Sequence, residues 1–146
     1  MPGLRHVFDT SVLVGMFLGP DSVNAVAVRM GVETGTMLVS NMLMTELLTV
    51  LCFSKLSNRY SSSEVWEFFD GIRRTSERIR VTHSVTACRD PSDDFVLALA
   101  LSGRADLIVT NDKALLALDP FRGIRIVSAR AFVVAVQRRG LTAGQV

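Results

Sequence analysis

Two hydrophobic periods alternate along this chain: short β-rich apolar runs that end in polar clusters, and longer apolar segments with helical spacing. Leu4 to Phe8 reads as a strand, and Asp9, Thr10 and Ser11 lead from it into an apolar helix from Val12 to Leu18. Gly19, Pro20 and Asp21 interrupt that helix. Ser22 then caps a second one, about Val23 to Val32, with Val23, Val26, Ala27 and Met30 on one face. Met37 to Val39 is a second strand, and Ser40 or Asn41 caps a third helix reaching about Lys55. Ser61 and Glu64 have capping-box spacing for a fourth helix to about Arg74, with Val65, Phe69 and Ile72 as its core stripe. Ile79 to Thr82 reads as a third strand.

From Asp90 onward the pattern is denser. Pro91 suits the first turn of a helix, the run Phe95 to Leu101 is apolar on nearly every side, and Gly103 suits its end. Leu107 to Val109 is the kind of run a buried parallel strand shows, and a short helix from Lys113 to Leu118 follows it. Ile124 to Val127 is a last strand, and Ser128 caps a closing helix to about Arg138. Strand and helix alternate throughout, which predicts a single α/β domain of three layers, α/β/α, around a mainly parallel central sheet. The domain is expected over residues 1–139, with 140–146 as a flexible tail.

The chain of 146 residues is 49% hydrophobic, ample for one packed core. A formal charge of +2 names no partner. Arginine outnumbers lysine by 14 to 2, which suits phosphate contacts but equally follows from genome composition. Arg73, Arg74, Arg78, Arg80 and Arg89 crowd one segment beside the single acid Glu77, a weak nucleic-acid signal that a solvated face would also produce. Cys52 and Cys88 lack zinc or disulfide spacing, and His6 and His83 stand alone. No apolar run reaches the roughly 18 residues that span a bilayer, so a cytoplasmic protein without membrane contact is expected.

The chemistry sits in acids. Asp9, Glu46, Asp94 and Asp112 are far apart in sequence, yet each falls at a strand end or on the helix that leaves it. In a parallel sheet all four converge at the carboxyl edge, where ligands bind in open α/β folds. Each acid also has a bland reading: Asp93, Asp94 and Asp112 as helix caps, Glu46 as a solvent-facing residue on an amphipathic helix. Carboxylates so close repel, and they are tolerated around a cation; oxygen ligands without His or Cys point to Mg²⁺ or Mn²⁺. Nuclease sites of this kind use ions about 3.5–4 Å apart to activate water.

These residues carry a family resemblance. A strand followed by Asp9-Thr10-Ser11-Val12-Leu13, then Thr45-Glu46-Leu47-Leu48, Asp90-Pro91-Ser92-Asp93-Asp94, and Ile108-Val109-Thr110-Asn111-Asp112-Lys113 resemble a PIN domain from about Leu4 to Val136. The resemblance is to the branch of toxins in toxin–antitoxin systems related to VapC. It implies a Mg²⁺- or Mn²⁺-dependent ribonuclease, commonly homodimeric, held by a cognate antitoxin protein, with Asp9, Glu46, Asp94 and Asp112 binding metal and catalysing. Asp93 is the outer candidate, first of all a helix cap; Ser11 and Thr110 would orient the acids from behind. Other readings are a catalytically silent RNA- or protein-binding module and a phosphatase that also starts with Asp after a strand. The phosphatase pattern asks for a second acid where Ser11 stands. A receiver-type signalling domain asks for an acidic pair where Phe8 precedes Asp9.

Overall fold

The computed structural model describes residues 3–53 and 58–139. The expected end of the third helix at Lys55 and the tail 140–146 lie outside the described residues. Five strands, β1 (Leu4–Phe8), β2 (Gly35–Val39), β3 (Ser76–Arg78), β4 (Leu107–Val109) and β5 (Arg125–Val127), form one sheet in the order β3-β2-β1-β4-β5. Every pair is parallel, so "mainly parallel" becomes fully parallel. The connections are α1 (Thr10–Leu18) and α2 (Val23–Thr34), α3 (Asn41–Phe53) and α4 (Ser62–Arg74), α5 (Pro91–Ser102), and α6 (Lys113–Leu116); α7 (Ala129–Arg139) closes the described chain.

Strand β1 is the middle of the sheet and shows why the layers form. His6 and Phe8 project from one face: the His6 Nε2–H donates to the Gly31 carbonyl of α2 at 2.8 Å, and both rings pack edge-on against Phe132 of α7. A carbonyl only accepts, so Nε2 carries a proton here, and burial lowers the proton affinity of the ring, which favours its neutral form. His6 is thus a core residue. On the other face α5 packs against β1 and β2, with Gly103 close to Leu38.

Two expectations from the sequence shift. The buried face of α2 consists of Ala25, Ala27, Val28 and Gly31, whereas Val23 is exposed. Small residues win because the helix comes close to the sheet: a β-carbon on Gly31 would lie 2.7 Å from the Phe8 ring. The third strand begins at Ser76 instead of Ile79. Arg5 and Glu77 form an ion pair at 2.9 Å across to it, and the Ile79 amide makes a last bond to Val39 O at 2.8 Å. Beyond that, the amides of Thr82 and His83 turn to the Ser102 hydroxyl, so the apolar residues at 79–82 leave the sheet. An exposed edge strand is defined here by charge pairing more than by apolar alternation.

The capping predicted for α4 is present: the Glu64 amide donates to Ser61 Oγ at 3.1 Å and the Ser61 amide to Glu64 Oε1 at 3.0 Å. Of its expected stripe, Val65 and Ile72 are buried, while Phe69 is half-buried and stacks on the exposed Trp66. Phe68, expected off the stripe, packs against Phe17.

The closeness of α2 and β1 is testable. Gly31→Ala gains helix propensity of about 1 kcal/mol, but forces the added methyl into the Phe8 ring, an overpacking cost of about 1–3 kcal/mol. Urea denaturation should show a net loss of stability; a gain would mean the helix can shift away from the sheet freely.

Candidate active site

The strand order reverses direction at β1: β2 and β3 lie on one side and β4 on the other, so the crevice of an open parallel sheet lies beyond the carboxyl ends of β1 and β4. Phe8 is in register with Val109, which sets Asp9 beside Thr110 immediately after the paired stretch. The Asp9 amide continues the pairing by donating to Val109 O at 2.9 Å, and the Thr110 amide donates to Val127 O at 2.9 Å.

Asp9 opens α1, but its side chain makes no capping bond to that helix. Its Oδ2 instead accepts from the Ser11 hydroxyl at 3.0 Å and from the Thr110 hydroxyl at 2.8 Å. The residue is 8% exposed, so the two hydroxyls hold a nearly buried carboxylate in one orientation. Thr110 is fully buried and has a second task, accepting the Asp112 amide at 3.0 Å. One hydroxyl therefore links two acids that are far apart in sequence. Asp112 also caps α6, where its Oδ1 accepts from the Ala114 amide at 2.9 Å. Asn111 points elsewhere, donating to Asn24 and accepting from the Ala129 amide.

The adjacent acids of α5 separate. Asp93 faces Asp112: burial first, then the charge of Asp112 and a hydrogen bond between the two carboxyls, then Asp9 and Asp90, push the Asp93 carboxyl up to about 6. Asp94 turns toward the preceding loop, where its Oδ1 accepts from the amides of Ala87 and Cys88, both at 2.8 Å. Those amides, the Ala87 bond foremost, hold the Asp94 carboxyl below its ordinary value. The expected arrangement had Asp94 in the cluster and Asp93 as a cap; the geometry puts Asp93 against Asp112 and gives Asp94 to the loop. Helical pitch explains this, since neighbours on a helix point about 100° apart and one face alone looks into the crevice. Burial and the Asp94 carboxylate push the Cys88 thiol up to about 11, which keeps it uncharged and a poor nucleophile.

Glu46 stands on α3, half-buried, and its carboxyl is raised by burial first and then by the charges of Asp9 and Asp90. Asp90 is thus a fifth acid that the sequence reading passed over as a site residue. Its signal was present: it lies three residues before Asp93, at the start of α5, where the Asp93 amide donates to Asp90 O at 3.1 Å. The group is Asp9, Glu46, Asp90, Asp93 and Asp112, all oxygen donors. Among the described residues, no three such side chains are close enough as placed to chelate one ion. Their surroundings are nonetheless those of a site short of positive charge: burial first, and then the other carboxylates that face them, make Glu46 and Asp93 hold protons more tightly. A divalent cation with oxygen preference fits that donor set.

The remaining charges are arranged differently. Arg73 and Arg74 both pair with Asp70, at 2.6 and 3.0 Å, so one carboxylate offsets one of these two positive charges locally. His83 is exposed and bonds to Ser102. No single helix among the described residues is long and apolar enough to cross a membrane.

A sequence model of the PIN domain matches residues 5–114, about three quarters of the chain. No curated protein matches. Among solved structures, the backbone is similar to VapBC2 from Rickettsia felis bound to a DNA fragment from their promoter, with TM-score 0.62 and 12% identity over 86% of this chain and 98% of that one. It is also similar to PAE2754 from Pyrobaculum aerophilum, with TM-score 0.63 and 15% identity over 93% of this chain and 91% of the other. At such identities the likeness concerns the fold.

The two neighbouring aspartates should respond in opposite ways. Asp93 has a raised proton affinity when folded, so the metal-free protein loses stability as pH rises from about 4, the unfolded value, to about 6. Asp93→Asn should remove that loss and raise the melting temperature at neutral pH by a few degrees, with little change at pH 4. Asp94→Ala should instead lower it and speed amide hydrogen exchange at Ala87 and Cys88 by about tenfold. Equal responses of the two variants would refute the separation.

Proposed function

The chain belongs to the PIN domain family, and on that premise we propose that it is a divalent-metal-dependent ribonuclease, the toxin component of a toxin–antitoxin pair. The observation that carries the reading is the set of carboxylates brought together at the β1–β4 crevice, where burial first and then the facing acids raise the proton affinities of Glu46 and Asp93. Such a set is unfavourable on its own and becomes favourable around a cation. The residues that would hold Mg²⁺ or Mn²⁺ are Asp9, Asp93 and Asp112, with Glu46 and Asp90 at the margin. Bound there, the ion supplies Lewis acidity, lowering the proton affinity of water and offsetting charge at the phosphorus.

The protein's own part is orientation and charge. Ser11 and Thr110 donate to one oxygen of Asp9, which leaves its other oxygen for the crevice. Thr110 also fixes the backbone at Asp112, so the acids of β1 and β4 keep a constant separation. Burial and the facing Asp112 raise the proton affinity of Asp93, and a divalent cation held between them would favour the charged form of Asp93. No histidine is needed as general base, in keeping with His6 in the core and His83 bonded to Ser102. Asp94 serves by tethering the 87–88 backbone, which leads directly to Asp90. RNA as substrate, the cytoplasm as its place, a homodimer and an antitoxin protein all belong to this proposal and rest on family membership. The likeness to the VapBC2 structure supports the antitoxin in particular.

The test is cleavage of a mixed cellular RNA pool in Mg²⁺, in Mn²⁺ and in EDTA. Cutting is expected with either metal and none with EDTA. Asp9→Asn and Asp93→Asn should each slow it by at least about 100-fold, more than loss of a supporting hydrogen bond. Asp94→Asn keeps an oxygen for the two amides and should retain most activity. Metal-independent cutting, or full activity in Asp9→Asn, would refute the nuclease reading. An Asp94→Asn variant as inactive as Asp93→Asn would return Asp94 to the cluster.

A further inference from the structure

Beside the acidic crevice runs a groove of about 530 Å³ whose walls come from β2, α3, α4 and β3, with Asn41, Thr45, Phe53, Phe69, Arg73 and Arg78 among its lining. Its position follows from the fold. Arg78 ends β3 and is in register with Val39 at the end of β2, so it stands at the same carboxyl edge as Asp9. Strand β3 is two strands from β1, about 10 Å at the spacing of paired strands. From that edge α3 runs back along the groove from Asn41 to Phe53, about 18 Å at 1.5 Å per residue. Thr45 faces the groove, and the next residue on the helix is Glu46 of the acidic group.

The charges in this groove are unequal. Arg73 is paired with Asp70, and the neighbouring strand residue Glu77 with Arg5. Arg78 is exposed and, among the described residues, has no carboxylate partner; its one polar contact is a 3.5 Å approach of Nη1 to the neutral Asn41 Oδ1. A free guanidinium at the rim of an acidic site repels the metal but suits the substrate, because its charge is opposite to a phosphate's. At the far end, Phe53 is 85% exposed and Phe69 half-buried against Trp66. An aromatic face that exposed is disfavoured in water and suits an unpaired base.

We propose that this groove holds the strand of RNA flanking the cleaved bond, with Arg78 on a phosphate and Phe53 under an unstacked base. The inference rests on the nuclease reading and adds to it where the strand beyond the acidic group would lie and which side chains would hold it; a base on Phe53 has to be unpaired. Val39, Met44 and Leu48 give the groove an apolar floor, and it is the cation without a carboxylate partner at one end and the exposed aromatic at the other that argue for a nucleic acid strand.

The test is binding without cleavage. A short fluorescein-labelled oligouridylate is titrated in EDTA with the whole protein at several salt concentrations, and fluorescence anisotropy is read. Arg78→Ala should weaken binding by about tenfold and reduce the slope of log affinity against log salt by about 0.7, the value for one phosphate contact on a single strand. Phe53→Ala should weaken binding by about tenfold with the slope unchanged, because stacking releases no counterion. Arg104→Ala, at the opposite edge of the sheet before β4, should alter neither. Identical affinity and slope for Arg78→Ala and wild type, or no binding by wild type, overturns the proposal. Metal-dependent RNA cutting that persists beside such a result would leave the nuclease reading standing and remove only the groove. Concentration-dependent dimerisation lost in Phe53→Ala, with RNA affinity intact, would assign the groove to a second copy of the chain.

Discussion

Like charges brought together at the carboxyl edge of β1 and β4 are the constraint around which this fold is organised. Burial first, and then the facing acids, disfavour the charged forms of Glu46 and Asp93, whose proton affinities are raised. A protein that stayed folded with no other use for these groups would gain by replacing them with amides or apolar residues. The proposed function accounts for their presence, because an oxygen-only donor set suits a hard cation.

What makes the arrangement tolerable is the rigidity beneath it. The central strands are parallel and buried, and their register sets Asp9 beside Thr110 without any flexible connection. The fully buried Thr110 hydroxyl donates to one acid and accepts from the backbone of another, so the spacing between the β1 and β4 acids is built into the sheet. On the far side, the tight contact of Gly31 with Phe8 and the His6–Gly31 bond hold α2 against β1. Strain in the crevice is thus opposed by a core with little freedom to relax.

The sequence was most legible where local chemistry and burial agree. Strands β1 and β4 have the bounds that their apolar runs predict, and the Ser61–Glu64 box opens α4 as its spacing requires. It was least legible at the sheet edge, where Ser76–Arg78 pairs through Arg5 and Glu77 while the more apolar 79–82 segment leaves the sheet. The face of α2 was misjudged for a related reason: apolar periodicity favours the larger residues, whereas close packing on β1 selects Ala27 and Gly31.

Within the acidic group, the sequence by itself determined which residues are acids, that they follow strands, and that such strands belong to a parallel sheet. Asp9, Glu46 and Asp112 could be placed on that basis because strand ends are local features. Asp93 and Asp94 could not be told apart, since both satisfy the same local signal at the start of a helix. Only the tertiary structure decided between them: the docking of α5 turns Asp93 toward Asp112, and the loop before it brings the Ala87 and Cys88 amides to Asp94. The same holds for Asp90 and for Arg78, whose significance depends on which charges lie near them in space. Local pattern encodes where a side chain leaves the backbone; its partners come from distant segments, and only packing brings those together.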